Sequence, residues 1–204
     1  MTKNKARIAV LVSGGGTNLQ ALLDAERDGI IHSGEIVLVI SSKPGVYALQ
    51  RAAKAGVRGE VANRRELVTQ DKFEQRILEL LEQNNIDLII LAGFMSILSE
   101  DFVSRYPRRI INVHPSLIPA FCGEGYYGLR VHEAALERGV KLTGATVHFV
   151  NEIADGGEII FQRAVKVQKG DTPEILQRRV MERAEWILLP RAAEKVSKEI
   201  IKMK

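Results

Sequence analysis

The sequence predicts a single α/β domain: a mostly parallel, twisted sheet with helices on both faces, then a C-terminal antiparallel strand pair plus helix. Three observations predict it. Short β-branched runs alternate with helical patterns along the first two thirds of the chain. Those runs are apolar at nearly every position, which a strand requires only when both of its faces are covered. The last third then breaks the alternation with two longer strand patterns. A chain of 204 residues, 46% hydrophobic and 26% charged, can bury a substantial core and is neither disordered, collagen-like nor coiled coil.

Residues 7–12 read as a buried strand and 18–24 as the helix after it. Residues 35–40 form the second strand, and 47–55 the second helix, closed by Gly56. A third helix spans 70–83, where Phe73, Ile77, Leu80 and Leu81 share one face. Residues 87–91 are a continuous apolar strand. Ser99 caps a short helix running to Tyr106, and 109–113 is the next strand. After His114 comes a loop rich in Pro and Gly, then a helix over 129–136. Strands over 143–150 and 158–167 are joined by Asn-Glu-Ile-Ala-Asp-Gly-Gly. A final helix starts near Thr172 and runs through Trp186, with a kink expected at Pro190. The plan is Rossmann-like, in one domain over 1–204.

Composition narrows the function classes. Lys plus Arg is 29 against 25 for Asp plus Glu, a formal charge of +4. That surplus predicts no nucleic-acid partner and suits a small anionic ligand. Lys3, Lys5, Arg7, Lys195, Lys198, Lys202 and Lys204 read as solvated tails. The one cysteine, Cys122, allows no internal disulfide. The longest late apolar run, 88–92, is far below the ~20 residues of a membrane helix, and residues 2–7 are too polar for a secretory segment. The expectation is a cytoplasmic protein with no membrane partner.

Ser-Gly-Gly-Gly-Thr-Asn (13–18) joins the first strand to the first helix. It reads either as a tight turn with Thr17 as N-cap, or as a loop whose N–H groups and helix terminus hold a phosphate. Its position after strand one favours phosphate. The loop has no Walker lysine, which excludes the usual NTPase pattern. Leu19 and the absence of an acid after strand two count against a dinucleotide, although Ser41-Ser42-Lys43 leaves an NADP 2′-phosphate open. A phosphorylated small substrate fits better.

Asn112 and His114 lie two apart at the carboxyl end of a strand, so both side chains face one way at the edge where such sheets bind ligands. An amide N–H and an imidazolium can hold the oxyanion of a tetrahedral intermediate, and histidine can pass a proton to a leaving amine. A nearby carboxylate would raise the histidine pKa, and Asp155 is the candidate. Cys122 has no histidine partner at a telling spacing. His132 and His148 read as structural and His32 as a loop residue. Metal-ligand spacings are absent, so no metal is expected.

Assembled, these motifs resemble the phosphoribosylglycinamide formyltransferases, a folate-dependent family of purine synthesis. The resemblance rests on Ser-Gly-Gly-Gly-Thr-Asn-Leu-Gln (13–20), Leu-Ala-Gly-Phe-Met-Ser-Ile-Leu (91–98), Ile-Asn-Val-His-Pro-Ser-Leu-Ile-Pro (111–119), Thr-Gly-Ala-Thr-Val-His-Phe-Val (143–150) and Asp-Gly-Gly (155–157). It implies transfer of a formyl group from 10-formyltetrahydrofolate to the amine of glycinamide ribonucleotide. It also implies a phosphate-binding half over about 1–100 and a catalytic and folate half over about 101–204. Gly16, Thr17 and Asn18 match the segment that holds the ribose phosphate, and Glu185 the glutamate that contacts the ribose. Met95, Ser96, Ile97 and Leu98, with Asn112, match the folate site. Asn112, His114 and Asp155 match the catalytic trio. The chain departs from the family at Ser96, where many members carry Arg, and at Trp186, where His is common. Its loop over 121–127 is longer than in some relatives. A methionyl-tRNA formyltransferase or a formyltetrahydrofolate hydrolase would be expected to carry a further domain.

Overall fold

A computed structural model describes residues 5–204. Lys3 and the start of the polar opening lie outside the described residues. The elements alternate as β1 (Ala6–Val12), α1 (Thr17–Arg27), β2 (Gly34–Ser41), α2 (Tyr47–Lys54), β3 (Arg58–Val61), α3 (Arg64–Leu67), α4 (Gln70–Gln83), β4 (Leu88–Leu91), α5 (Glu100–Ser104) and β5 (Ile110–His114). Then follow α6 (Leu129–Arg138), β6 (Leu142–Phe149), β7 (Ile159–Lys166), α7 (Pro173–Val180) and α8 (Trp186–Met203). The seven strands form one sheet in the order β3-β2-β1-β4-β5-β6-β7. The first five are parallel; β6 and β7 run antiparallel.

The period-2 alternation of a strand divides the core in two. In β1, Ile8, Val10 and Val12 enter a layer with α1 and α8, while Ala9 and Leu11 enter the layer under α4 and α5. Ile77, Leu80 and Leu81 of α4 are buried there with Phe73 and Phe102. Burying each such side chain stabilises the fold by roughly 1.5–3 kcal/mol, which is why β4, Leu-Ile-Ile-Leu, is apolar on both faces. Thr69 and Ser99 cap α4 and α5, accepting from the Lys72 and Phe102 N–H groups.

The short edge strand β3 and the single turn of α3 were not legible in the sequence. β3 reads Arg-Gly-Glu-Val, with no buried residue to give it a period. The basic C-terminal residues do not form a tail. α8 buries Leu189, Ala192, Ala193, Val196 and Ile200, and Lys204 pairs with Asp87 at 2.7 Å. Arg7 is half-buried within β1, its Nε donating to the Asn84 carbonyl at 2.7 Å. Pro190 lies inside α8, and a π-helical turn, Met181–Glu185, joins α7 to α8.

Candidate active site

β5 carries Asn112 and His114 to the carboxyl edge of the sheet. Antiparallel pairing sets His148 of β6 opposite Asn112 and Thr146 opposite His114. Ala145, Val147 and Phe149 enter the core, so Thr146 and His148 share the face of Asn112 and His114. Asp155 closes over this face from the loop between β6 and β7, at φ 55°. Gly157 behind it admits no side chain, because a Cβ would run into the Phe149 carbonyl. The sequence reading gave His148 a structural role; instead it belongs to the polar cluster. The signal was present, as Thr146 and His148 alternate with Ala145, Val147 and Phe149.

Asp155 is the hub. Its Oδ2 lies 3.4 Å from His114 Nδ1 and accepts from the Gly123 N–H at 2.9 Å. Its Oδ1 lies 3.5 Å from both His148 Nε2 and Asn112 Nδ2. His148 Nδ1 donates to the Phe149 carbonyl at 2.8 Å, and its Nε2 lies 3.3 Å from Asn112 Nδ2. The same nitrogen also donates to Asp155 Oδ1 at 3.5 Å, so the two contacts together orient the amide. Burial pushes the Asp155 carboxyl up, but His148, the Gly123 N–H and the charge of His114 together hold it below the usual range.

His114 is 4% exposed, and its Nε2 donates to the Phe121 carbonyl at 2.8 Å. Burial lowers its pKa, Asp155 and the Phe121 carbonyl raise it, and burial prevails. The expectation that a carboxylate raises the histidine pKa therefore holds for Asp155's own contribution and fails for the net direction. Nε2 faces the Phe121 carbonyl and Nδ1 faces Asp155 Oδ2, so each ring nitrogen lies against an acceptor. The stability linkage reverses with the net direction. A histidine depressed in the folded state contributes stability above its unfolded pKa, and this is lost as pH falls through the folded value. His132 of α6 follows the same rule: burial and the charge of His114 push it down to about 4, and neither ring nitrogen has a partner.

A cavity of about 750 Å³ gathers these groups, running from Asn18 and Glu185 past Asn112, His114 and Asp155 to Met95, Ser96 and Ile97. At the first end, the π-helical turn delivers Glu185 to α1, where Asn18 Nδ2 donates to Glu185 Oε2 at 2.8 Å. Burial pushes the Glu185 carboxyl up to about 7. Gly16 and Thr17 flank the cavity without lining it. Gly16 is the N-cap of α1 in a left-handed conformation, and a Cβ there would meet Ala48 at 2.7 Å. Thr17 is therefore the first helical residue and not the cap. Its Oγ1 points to Met181 Sδ at 3.9 Å. At the other end Met95 and Ile97 stand 51% and 70% exposed. Leu98 does not line the cavity; it is buried in the core beneath α5.

Ser41 and Ser42 are both buried and engaged, with the Lys43 carbonyl and with Ser13, so they present no 2′-phosphate site. His32 is exposed and pairs with Glu194 at 3.0 Å. Cys122 Sγ donates to the Pro119 carbonyl at 3.2 Å. Among the described residues, no group of three His, Cys, Asp or Glu is arranged to hold a metal.

A formyl transferase family model matches residues 6–192. The chain belongs to the formyl transferase family. Within it, a glycinamide ribonucleotide transformylase structure from Symbiobacterium toebii is 41% identical, with a TM-score of 0.89 covering 96% of this chain and 89% of that one. A phosphoribosylglycinamide formyltransferase from Brucella melitensis is 40% identical, with a TM-score of 0.86 covering 95% and 96%. The trifunctional purine biosynthetic protein adenosine-3 of Homo sapiens is 44% identical over 201 residues, 98% of this chain. This formyl transferase chain spans only 19% of that protein's length. A chloroplastic phosphoribosylglycinamide formyltransferase from Arabidopsis thaliana is 36% identical over 178 residues, 87% of this chain and 61% of its own.

Proposed function

We propose that the protein transfers the formyl group of 10-formyltetrahydrofolate to the amine of 5′-phosphoribosylglycinamide, giving the N-formyl product and tetrahydrofolate. One observation carries the reading. A single cavity joins the Asn112–His114–Asp155 cluster to the Asn18–Glu185 pair on one side and to the Met95–Ile97 wall on the other. That layout suits two substrates meeting at one reacting centre, and relatives bearing this activity match along nearly the whole chain. The ribonucleotide takes the glycine-loop and Glu185 side, within residues 1–100 and the π-helical turn. The folate takes the open wall and the catalytic face.

The amine attacks the formyl carbon and charge develops on oxygen, where the Asn112 amide N–H stabilises it. The attacking nitrogen loses a proton as its bond to carbon forms, and His114 carries that proton. As an imidazolium, His114 lies against Asp155, which offsets the burial of its charge. It then delivers that proton to the departing folate nitrogen, so no covalent enzyme intermediate forms. No metal enters the reaction, and its partners are small molecules, with neither nucleic acid nor membrane.

No helix among the described residues is long and apolar enough to cross a membrane, and the cytoplasm is the compartment proposed. The test is loss of formyl from 10-formyltetrahydrofolate, followed with and without the ribonucleotide. Loss that requires the ribonucleotide supports the reading; loss that ignores it indicates a hydrolase.

A further inference from the structure

Ser13 ends the first strand and opens the glycine loop, yet its side chain serves the opposite wall of the cavity. It is 6% exposed, and its Oγ accepts from the Met95 N–H at 2.9 Å. The same oxygen lies 2.7 Å from Ser42 Oγ, itself 3% exposed. The wall it touches has few other anchors. Ala92 N–H is bound to the Leu11 carbonyl, and the Ile97 carbonyl accepts from Gln70. Between those two points the main chain makes one hydrogen bond to the rest of the protein among the described residues, and it is Met95 to Ser13. Gly93, at φ 69°, turns the chain just before it. The segment is thus a short arch pinned at its middle, and the pin stands in the other substrate's loop.

We propose that Ser13 is a positioning residue that couples the two substrate subsites, holding the donor wall through Met95 while its own peptide begins the ribonucleotide loop. The inference rests on the formyl-transfer reading. A serine hydroxyl can accept twice and donate once, so Ser13 can hold the Met95 N–H and Ser42 together. Ordering of the glycine loop around a phosphate fixes the Ser13 backbone and hence the direction of its oxygen. The arch is then set before the donor arrives, and the donor meets a prepared wall.

Tetrahydrofolate and the ribonucleotide cannot react with each other, so their mutual effect on binding can be measured directly. Calorimetry under anaerobic conditions gives the Kd for tetrahydrofolate with and without saturating ribonucleotide. In the wild type the ribonucleotide is expected to tighten tetrahydrofolate binding by about fivefold or more. Ser13→Ala is expected to bring that ratio close to one, and Ser13→Cys, a weaker acceptor of the same shape, to an intermediate value. Ser42→Ala removes a buried hydroxyl from the same pair but leaves the Met95 bond, and is expected to keep the wild-type ratio. The inference is overturned by a wild-type ratio of one with both ligands bound, by an unchanged ratio in Ser13→Ala and Ser13→Cys, or by equal loss in Ser42→Ala. If the wild type binds neither ligand, the formyl-transfer reading itself falls, and this inference with it.

Discussion

The two flanks of the cavity are built on different physics. On the Glu185 side the polar groups are buried and already bonded to one another: Asn18 to Glu185, and across the centre Asn112, His148, His114 and Asp155. On the Met95 side the exposed side chains are Met95 and Ile97, and the arch is pinned by one buried serine. A buried, pre-bonded cluster costs desolvation in the folded protein and loses little further freedom when the reaction begins. An open apolar wall costs the fold little and gains its burial only when a ligand covers it. The chemistry therefore concentrates where polar groups are prepaid, and substitutions on the two flanks should differ in kind.

The largest effects belong to the centre. Asn112→Ala removes a donor aimed at the developing charge and is expected to lower kcat by about 10² or more, with both KM values little changed. Asp155→Asn is expected to cost at least as much, since it removes the charge that supports the imidazolium while leaving the amide size intact. Steady-state kinetics on both variants checks this, and near-normal turnover in either would detach that residue from its assigned role.

At the Glu185 end, substitution should change affinity and pH dependence together. A carboxyl raised to about 7 contributes stability below its unfolded value, near 4.5, and loses it as pH rises through 7. Glu185→Gln is therefore expected to unfold at a higher denaturant concentration than wild type at pH 8, and nearer to it at pH 5. The ribonucleotide KM should rise by about tenfold, the scale of one lost hydrogen bond to a charged group. An unchanged pH dependence would mean that Glu185 is ionised throughout.

His132 gives the opposite slope. Its depressed pKa adds stability on the order of 3 kcal/mol above pH 6.5, lost as pH falls from 6.5 to about 4. His132→Phe should flatten that part of the curve, measured by urea melts across the range.

The mildest effects should come from the rims. Bulk at Gly16 would strike Ala48, so it cannot separate phosphate contact from folding. Gly15 has open space where a Cβ would project. Gly15→Val should therefore raise the ribonucleotide KM while the melting temperature stays put. Ile97→Ala, on the exposed wall, should raise the donor KM by about threefold without touching kcat.

The sheet was legible because burial on both faces leaves a strand no choice but continuous Ile, Val and Leu. The α4 face and the Ser99 cap were legible for the same reason, each following a rule of spacing. β3 was not, since an exposed Arg-Gly-Glu-Val edge has no pattern to read. Asn112 and His114 could be paired from their spacing alone, but the partners that tune them come from elsewhere. His148 arrives by antiparallel register, the Phe121 carbonyl and the Gly123 N–H by a loop, and Glu185 by a π-helical turn. The net direction of the His114 pKa was missed for a related reason. The sequence names the carboxylate, whereas the depth of burial is a property of the folded chain.

Direct transfer is best tested with donor carrying a ¹³C label in the formyl group, mixed with enzyme and ribonucleotide in a single turnover. The account predicts that the label appears on the amine nitrogen of the ribonucleotide product, with none retained on the protein and none released as formate. Asn112→Ala should give the same product about 10² times more slowly. Label recovered as formate, or held covalently on the enzyme, would contradict it.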